Sequence, residues 1–148
     1  MAVIRPFKAL RPTKEKSQLV ASVPYDVVDR EEAKHAADGN PLSYLHITRS
    51  EIDLPDVKDV YSKEVYLKAK ENLNQIIEQA PLYVDEKPHF YLYRLIMDGR
   101  SQTGICATFS VDDYDNDVDL KHEKTRKVKE DDRTNHIITT EAQTGVVF

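Results

Sequence analysis

The run "VYSKEVYLKAKENLNQIIEQ", residues 60–79, carries the clearest periodicity in the chain. Tyr61, Val65, Ala69, Leu73 and Ile76 recur at helical spacing, and Tyr66 and Ile77 widen the stripe. Lys63, Lys68, Lys70 and Glu71 take the other face and Pro81 stops the run, so it predicts an amphipathic helix packed on a core. Just downstream, "HFYLYRLIM" and "RSQTGICATFSV" flank Asp98-Gly99, a pair suited to a type I′ turn. A strong helix beside a long hairpin implies an α+β fold: a mixed sheet with a long antiparallel hairpin and one main packing helix. Leu73, Ile76 and Tyr66 are then expected to pack against the hairpin residues Leu92, Ile96 and Ile105.

Toward the N-terminus, Val3 to Phe7 reads as a strand, and "LVASVPYDVVD" as a second extended stretch because Pro24 biases Val23 toward β. Asp29 should cap a short helix, "REEAKHAAD", ended by Gly39 and Asn40. "LSYLHIT" reads as a strand, with a break at "RSEIDLPD". The chain closes on the apolar "TGVVF", which reads as the start of another strand. Residues 1–148 are therefore expected to form one α+β domain, the N-terminal part of a longer protein. An apolar edge at Val146 to Phe148 would make the fragment self-associate.

At 148 residues with 40% hydrophobic content the chain is long and apolar enough to bury a core. A net charge of −5 argues against a general nucleic-acid binder, which carries a basic excess. The single cysteine, Cys106, excludes an intrachain disulfide and a cysteine metal cluster, and its hairpin position suits a small buried residue. With no signal peptide and no membrane-length apolar run, the cytoplasm is the expected compartment.

Asp112, Asp113, Asp115, Asp117 and Asp119 invite a calcium-loop reading, but the glycine and glutamate that an EF-hand needs are absent at the required offsets. An acidic, solvated loop fits better. The five histidines make no close pair of metal-ligand spacing, and no glycine-rich phosphate loop occurs. No metal site is expected from the protein's own side chains. In "VPYDVVD", Tyr25 and Asp26 sit either in a simple turn set by Pro24 or at a strand end facing a cleft.

"LKHEKTRKVKEDDRTNH", residues 120–136, has Val128 as its one aliphatic side chain between His122 and His136. A helix so poor in apolar surface has little to hold it by packing. If it is helical from 122 to 137, His122, Arg126, Glu130 and Arg133 share a face, with Glu130 placed to pair with both arginines. Such pairs decorate many surfaces. Alternatively the arginines hold a phosphate and a neighbouring carboxylate deprotonates a hydroxyl.

The segments "IRPFKALRP", "VASVPYDVV", "NPLSYLHITRSEIDLP", "GRSQTG", "HEKTR", "DRTNHI" and "AQTGVVF" resemble, in order and along the whole chain, the N-terminal part of the bacterial domain-of-unknown-function family 1015. Longer members of that family are similar, distantly, to the ParB/sulfiredoxin-like free-serine kinases. They share with them a downstream Asp-Gly-His-His-Arg motif that this chain lacks. The resemblance implies a small-molecule kinase with free L-serine as acceptor, and with Mg²⁺ and a nucleotide or other phosphoryl donor as cofactors. His122 and Glu123 match its His-Glu pair, which makes Glu123 the base and His122 its orienting neighbour. Arg126, Arg133 and Arg5 would bind phosphate, and Asp26 and Tyr25 would line the cleft. Without the downstream motif the chain alone is expected to be inactive. The alternative is a non-catalytic binding or regulatory module, nucleic-acid-associated through Lys121, Lys124, Arg126, Lys127 and Lys129.

Overall fold

The computed structural model describes residues 2–120 and 125–146. Its helices are α1 (Ser17–Val20), α2 (Arg30–Ala37), α3 (Leu45–Thr48), α4 (Lys63–Gln79), α5 (Val111–Asp115) and α6 (Lys127–Thr140). Its strands are β1 (Ile4–Arg5), β2 (Leu10–Arg11), β3 (Tyr83–Val84), β4 (Tyr91–Met97), β5 (Arg100–Cys106) and β6 (Thr108–Phe109). The fold is α+β. Where one mixed sheet was expected, the described strands form three two-stranded pairs, β1 with β6, β2 with β3 and β4 with β5. The chain divides into two compact units, residues 1–10 with 84–125, and residues 11–83 with 126–148.

In the first unit, β4 and β5 form the expected antiparallel hairpin, in register from Tyr91 opposite Cys106 to Met97 opposite Arg100. Asp98 (φ 50°) and Gly99 (φ 76°) both take the left-handed conformation that a type I′ turn requires. β1 pairs antiparallel with β6, and the strand expected over Val3 to Phe7 shrinks to Ile4–Arg5 plus an isolated bridge from Phe7 to His89. The Tyr91 hydroxyl accepts from the Ala9 amide at 2.9 Å and donates to Asp85, which fastens the N-terminal segment to β4. The acidic run is a helical turn rather than a loop. Ser110 caps α5 by accepting from the Asp113 amide, and the Asp113 carboxylate accepts from the Val3 amide at 2.8 Å.

The second unit holds every buried hydrophobic residue among those described. α4 begins two residues past a Tyr61 that remains exposed, and buries Val65, Tyr66, Ala69, Leu73 and Ile76. Its packing partners differ from the expected ones. Leu73 and Ile76 cluster with Val20, Leu42, Ile47 and Ala80, while Leu92, Ile96 and Ile105 of the hairpin are 76%, 69% and 67% exposed. A second cluster joins Ala33 and Ala37 of α2 to Leu45 and Ile52.

"LSYLHIT" is a helix instead of the expected strand, and the two clusters explain the misreading. Leu45 packs into one and Ile47 into the other, so a single helical turn buried on both sides imitates the alternation of a strand. "LVASVPYDVVD" likewise opens with α1, then runs to a 3-10 turn over Tyr25–Val27. Asp29 caps α2 as expected, in a reciprocal capping box with Glu32, both bonds 2.9 Å. Gly39, at φ +69°, supplies the left-handed residue just past the helix.

Candidate functional site

Polar bonds fix the second 3-10 turn, Ser50–Asp53, more firmly than its apolar content does. The Arg30 guanidinium of α2 donates to the carbonyls of Glu51 (3.0 Å), Leu54 (2.7 Å) and Val57 (3.1 Å). Ser50 Oγ, fully buried, donates to the Val65 carbonyl of α4 at 2.7 Å. Asn72 Nδ2 donates to Asp53 Oδ2 at 2.7 Å and to the His46 carbonyl at 2.6 Å. His46 Nδ1 donates to Asp53 Oδ1 at 2.9 Å, with Nε2 facing the Asn40 carbonyl at 3.2 Å. The bond to Asp53 lifts the His46 pKa above its ordinary value. Burial opposes ionisation of Asp53, but its bonds to His46 and Asn72 outweigh that and hold its carboxyl below the usual range.

α6 answers the puzzle of the charged segment. It is held by polar partners within the chain. Asp132 is 6% exposed; its Oδ1 accepts from the Tyr66 hydroxyl of α4 at 3.1 Å, and its Oδ2 from Arg133 at 2.8 Å. His136 is 3% exposed, and its Nε2 donates to the Ile47 carbonyl at 3.0 Å while Thr144 Oγ lies 3.3 Å from Nδ1. Thr140 Oγ donates to the His136 carbonyl at 2.7 Å. Burial lowers the His136 pKa, so the neutral ring is the stable one. Burial, with Asp132 alongside, pushes Tyr66 up to about 12 and keeps it a donor.

A small polar cleft lies between these elements of the second unit. The space open to a water-sized body is about 40 Å³, room for roughly three waters. Arg49, Glu51, Lys129, Asp132 and Arg133 line it, three cations against two carboxylates. Tyr25 and Tyr61 also line it, and each carries a cation over its ring: Arg133 lies 4.5 Å from the Tyr25 centroid and Lys129 5.6 Å from that of Tyr61. Arg49 Nε stands 3.0 Å from Glu51 Oε1, an ion pair without hydrogen-bond geometry, so Nε is buried and unbonded.

Of the site residues singled out from sequence, the cleft brings together Tyr25, Arg133 and, from the basic face of the alternative reading, Lys129. His122, Glu123, Lys121 and Lys124 lie outside the described residues. Arg126 is the exposed N-cap of α6 and is not part of the lining. Asp26 is exposed, beside the cleft residue Tyr25 but not in the lining, and Arg5 belongs to β1 of the first unit. The ion pairs along α6 also differ from expectation. Glu130 pairs with Lys127 at 3.6 Å, Lys127 with Asp131 at 2.8 Å, and Arg133 with Asp132. Cys106 is partly buried on β5 and forms no disulfide. Arg49, Glu51, Tyr61 and Asp132 were not foreseen. The available signal was Arg49 and Glu51 standing as charges between the apolar residues Leu45, Ile47, Ile52 and Leu54. Among the described residues no group of three His, Cys, Asp or Glu side chains is placed to hold a metal ion, and no helix is long and apolar enough to cross a membrane.

An α+β chain with one cored unit and a compact polar cleft is thus defined by its residues. The family model described as "Protein of unknown function (DUF1015)" matches residues 4–148, and the chain belongs to that family. No curated protein and no solved structure matches it.

Proposed function

We propose that the chain supplies the acceptor side of a cytoplasmic small-molecule phosphotransferase, with free L-serine as acceptor. The observation that carries this reading is the placement of Lys129 and Arg133. They stand one helical turn apart on α6, line the same cleft, and are each held over a tyrosine ring. Two oriented cations on a small, partly enclosed surface suit a phosphoryl group, whose transfer needs positioning and charge neutralisation more than covalent help. The distant resemblance of longer family members to free-serine kinases, read from sequence alone, suggests the acceptor and the role of Glu123. That carboxylate takes the hydroxyl proton as the serine oxygen forms its bond to phosphorus and the bond to the donor's leaving oxygen breaks.

Magnesium and the phosphoryl donor belong to the proposal. Glu51 and Asp132, the cleft carboxylates, are each committed to an arginine. They offer Mg²⁺ no dedicated cage, which matches its ordinary mode of binding through phosphate oxygens and one or two carboxylates. The ion would enter with the donor.

The test is phosphoserine formation from serine and magnesium nucleotide or pyrophosphate, in a protein that also carries the downstream Asp-Gly-His-His-Arg segment. Glu123→Gln keeps the side-chain shape and removes the base, and should slow turnover by about 10²–10⁴-fold. Arg133→Ala should weaken donor binding as well as rate, because it removes charge pairing present before reaction. Arg126→Ala, at the exposed cap, should do so less. Full turnover in Glu123→Gln would remove the base from the mechanism, and no phosphoserine with any donor would end the phosphotransferase reading.

A further inference from the structure

We propose that the Arg49–Glu51 pair is a receptor for the dipolar head of a free α-amino acid, Arg49 taking the α-carboxylate and Glu51 the α-ammonium. The inference deepens the phosphotransferase reading and rests on it for the hydroxyl side chain, though the head-group recognition stands on its own geometry.

The pair is costly as it stands. The Glu51 side chain is 6% exposed and that of Arg49 20%, yet Nε of Arg49 has no hydrogen bond. Removing two charges from water is offset only when their geometry is good and their remaining donors and acceptors are satisfied. Nor is the pair needed to fix its own backbone. Arg30, Ser50 and Asn72 already tie the turn to its surroundings through carbonyls, Val65 and Asp53. A buried, incompletely bonded pair on a rigid turn is a half-built site that a ligand completes.

Charge decides which ligand. A purely anionic ligand reaching Arg49 would also meet Glu51, whose burial leaves its repulsion poorly screened. A purely cationic one would meet Arg49. The two charges of an amino acid sit two bonds apart, which matches a guanidinium nitrogen and a carboxylate oxygen separated by 3.0 Å. The roughly 40 Å³ of space open to a water-sized body is far too small for a nucleotide, which leaves only a small head group to meet the pair. Lys129 and Arg133, on the α6 side of the lining, remain for the phosphoryl group.

The experiment is isothermal titration calorimetry on the chain with no phosphoryl donor present. L-Serine should bind saturably, one per chain. L-Serinamide, which lacks the carboxylate, and 3-hydroxypropanoate, which lacks the ammonium, should each bind about tenfold or more weakly, the usual worth of a charged hydrogen bond. These comparisons need no variant, so a folding defect cannot obscure them. Glu51→Gln should then erase the preference for serine over 3-hydroxypropanoate. Equal binding of serine and either analogue overturns the inference, as does the absence of saturable serine binding. Inorganic phosphate binding through Arg49 without serine would do the same, yet leave the phosphotransferase reading standing. Serine binding with the expected analogue pattern, but no phosphoryl transfer in the longer protein, would uphold the inference and end that reading.

Discussion

The two units of this chain are built on different principles. The second buries two apolar clusters and seats α6 over them through Asp132 and His136. The first, among its described residues, buries no hydrophobic side chain; it is held by a hairpin ladder, a short β1–β6 pair and the Tyr91 hydroxyl. A backbone ladder resists local opening only weakly when no side chains pack over it, whereas a core ties opening to loss of the whole unit. The polar cleft sits in the unit that can afford rigidity, where a turn pinned from α2 and α4 holds Arg49 and Glu51 in place.

That contrast breaks most easily at Leu73. Leu73→Ala opens a cavity in the larger cluster and should cost about 2–5 kcal/mol in urea unfolding. A loss below half a kcal/mol would mean that α4 presents a different face to the core. Asp132→Ala comes next. It strands the buried Tyr66 hydroxyl and frees Arg133, an effect of about 1–3 kcal/mol, read by the same unfolding curves. Tyr66→Phe removes only the donor and should cost about 1 kcal/mol. If Tyr66→Phe were neutral, α6 would owe its position to something other than this bond.

The two bonded histidines sharpen the comparison through pH. His136 has a lowered pKa, so the unfolded chain binds the proton more readily, and stability falls as pH drops below about 6.5, the unfolded value. His46 has a raised pKa, so its contribution is complete below that value and disappears as pH rises through its higher folded one. His136→Gln should therefore flatten the acid limb of the stability profile, and His46→Gln the limb above about pH 6.5. Equal shifts from both variants would contradict the opposite environments of the rings. The smallest effect belongs to the first unit: Leu92→Ala, on the exposed face of the hairpin, should stay within about 0.5 kcal/mol.

The hairpin, the capped α2 and the amphipathic α4 were legible because each depends on neighbours in sequence. Asp98-Gly99 meets the dihedral demands of its turn, Asp29 reaches Glu32, and a 3.6-residue period fills one face of α4. Tertiary structure decided the rest. "LSYLHIT" is helical because Leu45 and Ile47 enter two different clusters, which local alternation cannot distinguish from a strand. α6 is fixed by Tyr66, the Ile47 carbonyl and Thr144, groups 66, 89 and 8 residues from their partners Asp132 and His136. The cleft likewise joins "RSE" to a helix some eighty positions later. Hydrophobic period records which face of an element is buried. Buried polar pairs leave no period, because each needs one partner at one place, and only the folded chain supplies that place.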